Sequence, residues 1–359
     1  MNRTSKIYVA GHRGLVGSAI VRTLAADGYS TLITRTSREL NLINQQDVAA
    51  FFAQEKPEYV FLAAAKVGGI HANDTCRAEF IYNNLMIQTN IMHQSYLHSV
   101  KKLLFLGSSC IYPKLCPQPM KEAYLMTGPL EHTNSPYAVA KITGIEMCWA
   151  YNRQYGCRFI PVMPTNLYGE NDSFDLENSH VLPALIRKFH LAKMAAAGDL
   201  AAIIRDEQRY GPLPADIRKA IGLNADSTHL SQDATDAKVV VWGTGTPKRE
   251  FLHVDDMADA CVFIMKGDFS SLKAACGQTD ILFNIGSGAD QTIKELALMV
   301  RDAVGFQGEI VFDDAKPDGT PRKLLDASRL EALGWQAIIG LKDGIEQVYR
   351  WYQRIGSIE

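Results

Sequence analysis

The sequence predicts an α/β fold: a doubly wound parallel sheet of the Rossmann type, with a smaller α/β lobe. Three observations carry it. Apolar runs of strand length alternate with helical patterns over the first 170 residues. A glycine-rich turn, GHRGLVG at 11–17, stands between the first strand and the first helix. The fourth strand-like run, KLLFLGSS at 102–109, ends in two serines and spills into a Pro-rich loop. Strands continuous in Val, Ile and Leu and separated by helices belong to a sheet covered on both faces.

The alternation runs in order. KIYVAG (6–11) precedes LVGSAIVRTLAADG, TLITRT (31–36) precedes QQDVAAFFAQEK, and EYVFLAAA (58–65) precedes AEFIYNNLMIQTNIMHQSYLHSV. KLLFLGSS then leads through its loop to YAVAKITGIEMCWAYNRQYG, and FIPVMPTN (159–166) follows. Right-handed crossovers would place a ligand at the carboxyl ends of these strands. Beyond residue 170 the pattern loosens. ENSHVLPALIRKFHLAKMAAAG, DDMADACVFIMK and TIKELALMVRDAVG read as helices, and KVVVWG (238–243), KREFLHV (248–254) and ILFNIG as strands. The expected division is 1–177 with 254–290 as the dinucleotide-binding domain, and 178–253 with 291–359 as a substrate lobe.

A chain of 359 residues, 47% of them hydrophobic, can bury a large core and divide into two lobes. A net charge of −2 with no long basic run argues against nucleic-acid binding. Seven cysteines (Cys76, Cys110, Cys116, Cys148, Cys157, Cys261 and Cys276) form no C-x-x-C, and no histidine is spaced to complete a metal site. Reduced thiols, no membrane span and no leader segment are the expectation, hence a cytoplasmic protein.

In GHRGLVG the glycines Gly11, Gly14 and Gly17 let backbone approach a pyrophosphate seated on a helix N-terminus. Alone the pattern is weak; between the first strand and helix it favours a dinucleotide. The second strand ends in Thr34, Arg35 and Thr36, with Arg38 close by and Arg13 in the glycine turn. Arginines without an early carboxylate favour the 2′-phosphate of NADP(H). Glu39 is the counter-argument, and a solvated surface pair is the plain alternative for Arg35 and Arg38.

SPYAVAK places Tyr137 and Lys141 one helical turn apart on one face. A lysine ammonium beside a phenol is expected to lower the phenol's pKa, making a usable acid. With Ser108 donating to the same oxygen, this polarises a ketone for hydride delivery. A Y-x-x-x-K spacing alone is common by chance; the glycine turn and the serine-ended strand give it weight.

At this point the sequence resembles the extended short-chain dehydrogenase/reductase family. GHRGLVG, AAAKVGGI, FLGSSCIYPK, SPYAVAK, MPTNLYG, NSHVLPALIRKFH, VVVWGTGTPKREFLHVDDMA and DDAKPDGTPRKLLD are similar to its bifunctional members that epimerise a GDP-linked 4-keto-6-deoxy-D-mannose at C3 and C5 and reduce it at C4. The resemblance implies Ser108, Tyr137 and Lys141 as the reducing apparatus, Cys110 as base and His180 as acid for epimerisation. It implies cofactor contacts at Gly11, His12, Arg13, Gly14, Leu15, Val16 and Gly17, then at Ala64 and Ala65. Further contacts follow at Leu106, Gly107, Ser108 and Ser109, and at Pro164, Thr165, Asn166 and Leu167, with His180.

For the GDP part of the substrate the resemblance points to Lys188, Trp242, Arg249, Asp318 and Lys323, and it implies a homodimer. A lysine at 188 keeps the charge but lacks arginine's planar fork. Trp242 is either a platform or a strand-end core aromatic. Cys110 alone reads as a buried core residue; its place two residues after Ser108 argues otherwise. Dehydratases of the same fold carry acidic residues where this chain has Ser109 and Cys110, which disfavours dehydration.

The segment 198–237 is longer than the resemblance leads one to expect. It is polar, and reads as a surface excursion, a lid or a subunit contact that adds little core. It leaves open a related substrate, a GDP-4-keto deoxyheptose or 3,6-dideoxyhexose. A regulator that only senses NADP(H) would not need Ser108, Tyr137 and Lys141 together.

Overall fold

The structure is a computed structural model describing residues 1–230, 236–277, 280–316 and 318–356. The strands are β1 (Ile7–Ala10), β2 (Leu32–Ile33), β3 (Tyr59–Leu62), β4 (Lys102–Leu106), β5 (Phe159–Pro164), β6 (Asn166–Tyr168), β7 (Val239–Trp242), β8 (Lys248–His253), β9 (Phe283–Ile285), β10 (Asp290–Thr292), β11 (Ile310–Asp313) and β12 (Arg322–Lys323). The helices are α1 (Leu15–Ala26), α2 (Gln45–Glu55), α3 (Ile70–Thr75), α4 (Arg77–Leu97), α5 (Ser135–Tyr155), α6 (Val181–Ala196), α7 (Leu200–Tyr210), α8 (Ala215–Ala220), α9 (Val254–Lys266), α10 (Phe269–Ala275), α11 (Ile293–Val304), α12 (Ser328–Glu331) and α13 (Leu341–Gly356).

Two compact units emerge. The first is Met1–Leu167, Glu250–Ala289 and Leu324–Ile338; the second is Tyr168–Arg249, Asp290–Lys323 and Ile339–Glu359. The return of 324–338 to the first unit has a packing reason: Leu325, Leu330 and Trp335 are buried in its cores.

In the first unit six strands form a sheet in the order β2-β1-β3-β4-β5-β9, all five pairings parallel. Alternate residues face opposite ways. Val9, Phe61, Leu104 and Val162 enter a core with α1 and α9, while Tyr8, Val60, Phe105 and Met163 enter another with α2, α4 and α5. The doubly wound sheet expected from the sequence is therefore borne out. Its order reverses between β1 and β3, and that switch point opens a crevice at the strand ends. β2 is shorter than TLITRT, because Glu39 accepts from the Thr36 N–H and hydroxyl and bends the chain away.

In the second unit β7 and β11 pair in parallel, and so do β12 and β8, with Lys323 opposite Arg249. α6 and α13 pack on α11, whose N-terminus carries a Thr292/Glu295 capping box. The segment at 198–237 departs from expectation. Apart from 231–235, which lie outside the described residues, it folds as α7 and α8 and buries Ile203, Leu213, Ile217, Ile221 and Leu223. Arg187 on α6, 0% exposed, donates from Nε to Asp206 on α7 at 2.7 Å. Its Nη1 and Nη2 donate to the carbonyls of Phe174, Tyr210 and Gly211. Asp206 also accepts from the Tyr352 hydroxyl of α13. The segment is thus built into a core, because an ion pair and aromatic contacts distant in sequence hold it.

Candidate functional site

The parallel strands bring their carboxyl ends to one edge of the first unit. Gly11 follows β1, Ala64 and Ala65 follow β3, Leu106 to Ser109 end β4, and Pro164 to Leu167 end β5. Gly11 has φ +83°, and a Cβ there would stand 2.8 Å from the Ala64 nitrogen. A Cβ on Gly17 would overlap the Gly11 carbonyl. Gly14 is the N-cap of α1 and has no side chain to satisfy the first N–H groups of the helix. That glycine cradle, with helix donors unspent, fits the pyrophosphate of a dinucleotide. His12, Arg13, Leu15 and Val16 complete this turn. Thr165 bonds through its N–H to the Ile285 carbonyl, and Asn166 donates to the Glu250 carbonyl, so the β5 end is locked in place.

The arginines divide. Arg13 and Arg38 are exposed at this edge. Arg35 pairs with Glu55 at 2.5 Å, donates to the Thr34 carbonyl and covers the Phe51 ring. Its expected role on a 2′-phosphate does not match this geometry: the guanidinium is engaged by α2. Glu39, occupied by Thr36, is equally committed.

Beside the cradle, β4 runs into a short 3₁₀ turn, Ser109–Ile111. Ser108 caps it, its hydroxyl oxygen accepting from the Cys110 N–H at 3.3 Å. That bond uses an acceptor and leaves the Ser108 proton to donate elsewhere. Ser109 is buried, so packing and turn formation account for it. On α5, Pro136 in the first turn and Gly156 as a left-handed C-cap define the helix that carries Tyr137 and Lys141. Lys141, 3% exposed, donates to the Leu106 carbonyl at 2.7 Å and stands 5.7 Å from the Tyr137 ring centroid.

The expected electrostatics of this pair need correction. Desolvation pushes Lys141 down to about 7, and desolvation raises Tyr137 above the usual phenol value, with Cys110 adding to the rise and a Ser108 hydrogen bond opposing it. Tyr137 is only half-buried by surface area, yet desolvation is its leading influence. A lysine that is itself desolvated has lost much of the charge that was to acidify the phenol. Tyr137 is held protonated, ready to give a proton.

Among the second-unit candidates, His180 is the N-cap of α6, with no capping bond from its side chain. Its ring is exposed at the surface, but desolvation first and the Lys323 ammonium second push its pKa down. Lys188 donates to the Val240 carbonyl at 3.0 Å and lies 5.6 Å from the centre of the Trp242 ring. Desolvation lowers its pKa, with Asp216 of α8 opposing. Trp242 is 56% exposed, which excludes the core reading. Lys316, not singled out by sequence, stands 5.1 Å from the same ring. Arg249 donates to the Thr320 carbonyl at 2.5 Å. Asp318 accepts from the Thr244 N–H and hydroxyl, so in this structure it organises the 243–246 turn. The unit therefore gathers an exposed indole and several cations, the donor set for an aromatic base and a diphosphate.

The chain matches the NAD dependent epimerase/dehydratase family over residues 7–206 and 191–286. It belongs to that family. It is 54% identical to a putative GDP-L-fucose synthase 2 of Arabidopsis thaliana, over 98% of this chain and 93% of that protein. It is 48% identical to the GDP-L-fucose synthase of Escherichia coli K12, over 97% and 96%. Among solved structures, a GDP-D-glycero-L-gluco-heptose synthase from Campylobacter jejuni, determined in the presence of NADPH, superposes with a TM-score of 0.87. It is 44% identical, over 98% of this chain and 99% of that one.

Proposed function

We propose that this protein converts GDP-4-keto-6-deoxy-D-mannose to GDP-L-fucose with NADPH, by epimerisation at C3 and C5 and reduction at C4. The observation that carries the reading is the joining of Ser108, Cys110, Tyr137 and Lys141 at one strand end, in a chain about half identical to GDP-L-fucose synthases.

The glycine cradle of Gly11, Gly14 and Gly17 would hold NADPH, which would supply the hydride for C4. The C3 and C5 hydrogens are acidic because they flank the ketone. At each of the two carbons Cys110 serves as the base that removes the proton and His180 as the acid that supplies one, so each centre loses and regains a single proton. The Ser108 hydroxyl, its acceptor used by the Cys110 N–H, donates to the ketone oxygen and stabilises the enolate there. Tyr137, kept protonated by its surroundings, gives its proton to that oxygen during reduction. Lys141, anchored on the Leu106 carbonyl, fixes the tyrosine helix against β4. Lys188, Trp242, Arg249 and Lys323 hold the GDP moiety, with Asp318 shaping the neighbouring turn. Arg13 and Arg38 recognise the 2′-phosphate.

The Campylobacter relative, 44% identical and named for a GDP-heptose, supports a second reading: the same chemistry on a related GDP-4-keto sugar. Incubation with GDP-4-keto-6-deoxymannose and NADPH, with identification of the product, decides between them. GDP-L-fucose is the expected product, and no turnover of this substrate beside turnover of a keto-heptose overturns the first reading. Cys110→Ser is expected to abolish solvent-deuterium exchange at C3 and C5 while sparing NADPH binding; exchange at the wild-type rate would show the thiol to be merely packed.

We also infer a cytoplasmic homodimer. α4 and α5 pack together and leave Tyr82, Leu97, Val139 and Tyr155 exposed, a surface suited to a helix bundle between two copies. The molar mass in solution tests it. No described helix is long and apolar enough to cross a membrane.

A further inference from the structure

We propose that Asn134 is the positioning residue for the epimerisation base, holding the Cys110 sulfur in its proton-accepting state through its side-chain amide. The inference deepens, and rests on, the reading of Cys110 as that base.

Asn134 Nδ2 donates to Cys110 Sγ at 3.4 Å, within the range for a hydrogen bond to sulfur. Asn134 is the residue before α5, yet its side chain makes no helix-capping bond. Its backbone does the local work instead. Its carbonyl accepts from the Ala138 N–H, and its own N–H donates to Glu131. Glu131 also accepts from the Thr133 N–H and hydroxyl, so the turn is pinned without the amide. The amide oxygen of Asn134 is buried with no partner among the described residues. A polar side chain excused from capping, and left with one buried atom unpaired, is costly unless chemistry retains it.

The donor sense supplies that chemistry. An amide N–H can only donate, and a thiolate accepts far better than a thiol. The contact therefore favours the sulfur without its proton. During epimerisation the substrate C–H bond breaks, an S–H bond forms, and the electron pair moves onto the ketone oxygen as an enolate. The sulfur then becomes a donor, and an amide turned about its axis presents Oδ1 to that S–H. One residue so serves both states of the base. The other polar groups around the sulfur do not duplicate it. The Cys110 sulfur disfavours ionisation of Tyr137, so the phenol stays protonated and takes no part in holding the sulfur. Ser108 engages the Cys110 backbone rather than its sulfur. Glu131 is turned to its own loop and ion-paired with Lys114 at 3.9 Å.

The test follows the rate of Cys110 alkylation by iodoacetamide against pH in the full-length protein, read by peptide mass spectrometry, with Cys110→Ser as background. Asn134→Ala is expected to slow alkylation at neutral pH about tenfold. Asn134→Asp, which keeps the shape but replaces the donor with an anion, is expected to slow it further. Deuterium exchange at C3 and C5 should fall about tenfold in Asn134→Ala, with NADPH affinity unchanged. Alkylation profiles that superimpose on the wild type in a folded variant overturn the proposal. Asn134→Asp preserves the backbone bonds and carries the test if the alanine variant does not fold. If Cys110→Ser exchanges deuterium at the wild-type rate, the base assignment fails separately; the alkylation profile still judges Asn134.

Discussion

At the β4 edge and in the 198–237 segment, polar side chains cluster but are used differently. At the edge, hydrogen-bonding capacity is held back. Ser108 accepts one bond and keeps its proton, Tyr137 stays a protonated phenol, and the Asn134 oxygen has no partner among the described residues. In the segment most of the described side-chain capacity is spent, the buried Tyr210 hydroxyl, which has no partner among the described residues, being the exception. Both oxygens of Asp206 are engaged, one by Arg187 and one by Tyr352, and the Arg187 guanidinium also meets three carbonyls. Glu207 likewise serves Arg218, Ser227 and the Leu213 N–H. Reserved capacity marks a place where a substrate must be met; spent capacity marks a place where chain must be held.

The comparison is most exposed at Asp206. Asp206→Ala leaves Arg187 charged and buried without its partner, and a loss of about 4 kcal/mol is expected. Denaturant titration measures it. A loss under about 1 kcal/mol would mean the segment is not part of the core, and replacing 200–235 by a Gly/Ser linker would then leave a folded protein. The network predicts that this replacement instead unfolds the second unit.

A smaller effect of opposite sign is expected at the edge. Lys141 is charged in the unfolded chain up to about pH 10.4 and only to about 7 when folded without cofactor. Folding therefore carries a penalty that is full below pH 7 and is relieved as pH rises towards 10. Lys141→Met should stabilise the cofactor-free protein by about 2 kcal/mol at pH 7, allowing for the lost bond to Leu106, while reduction is lost. The gain should shrink between pH 7 and 10. A destabilised variant, or a gain independent of pH, would place Lys141 with the spent groups instead.

The smallest effect concerns Arg35, a residue of the nucleotide edge whose donors are already spent on Glu55 and Thr34. Arg35→Ala should change the preference for NADPH over NADH by less than about threefold, under about 0.7 kcal/mol. Arg13→Ala or Arg38→Ala should change it more. Kinetics with both cofactors would sharpen the division, and a large loss at Arg35 would show that its ion pair opens to meet the 2′-phosphate.

Much of the site was legible because its spacing is local. GHRGLVG must turn a strand into a helix, and Tyr137 and Lys141 share a helical face whatever surrounds them. Ser108 and Cys110 are brought to the same place by the length of one strand. The mutual effect of Tyr137 and Lys141 was not legible, because it depends on burial, which no spacing reports. Asn134 escaped notice although it lies next to SPYAVAK: its signal is a contact to sulfur 24 residues away. Lys316 escaped because only the pairing of β7 with β11 brings it to Trp242.

The sequence by itself determined the alternation of buried strands and helices, the glycine turn, and the set of reactive side chains at strand and helix ends. Those follow from periodicity and backbone sterics within a few residues. Only the tertiary structure decided which polar groups remain available. It tied Arg35 to Glu55, Asp318 to Thr244 and Asp206 to Arg187 and Tyr352, and it desolvated Lys141. A hydrogen-bonding group takes its partner from whatever the fold brings within about 3 Å, and for these side chains that partner is usually remote in the chain.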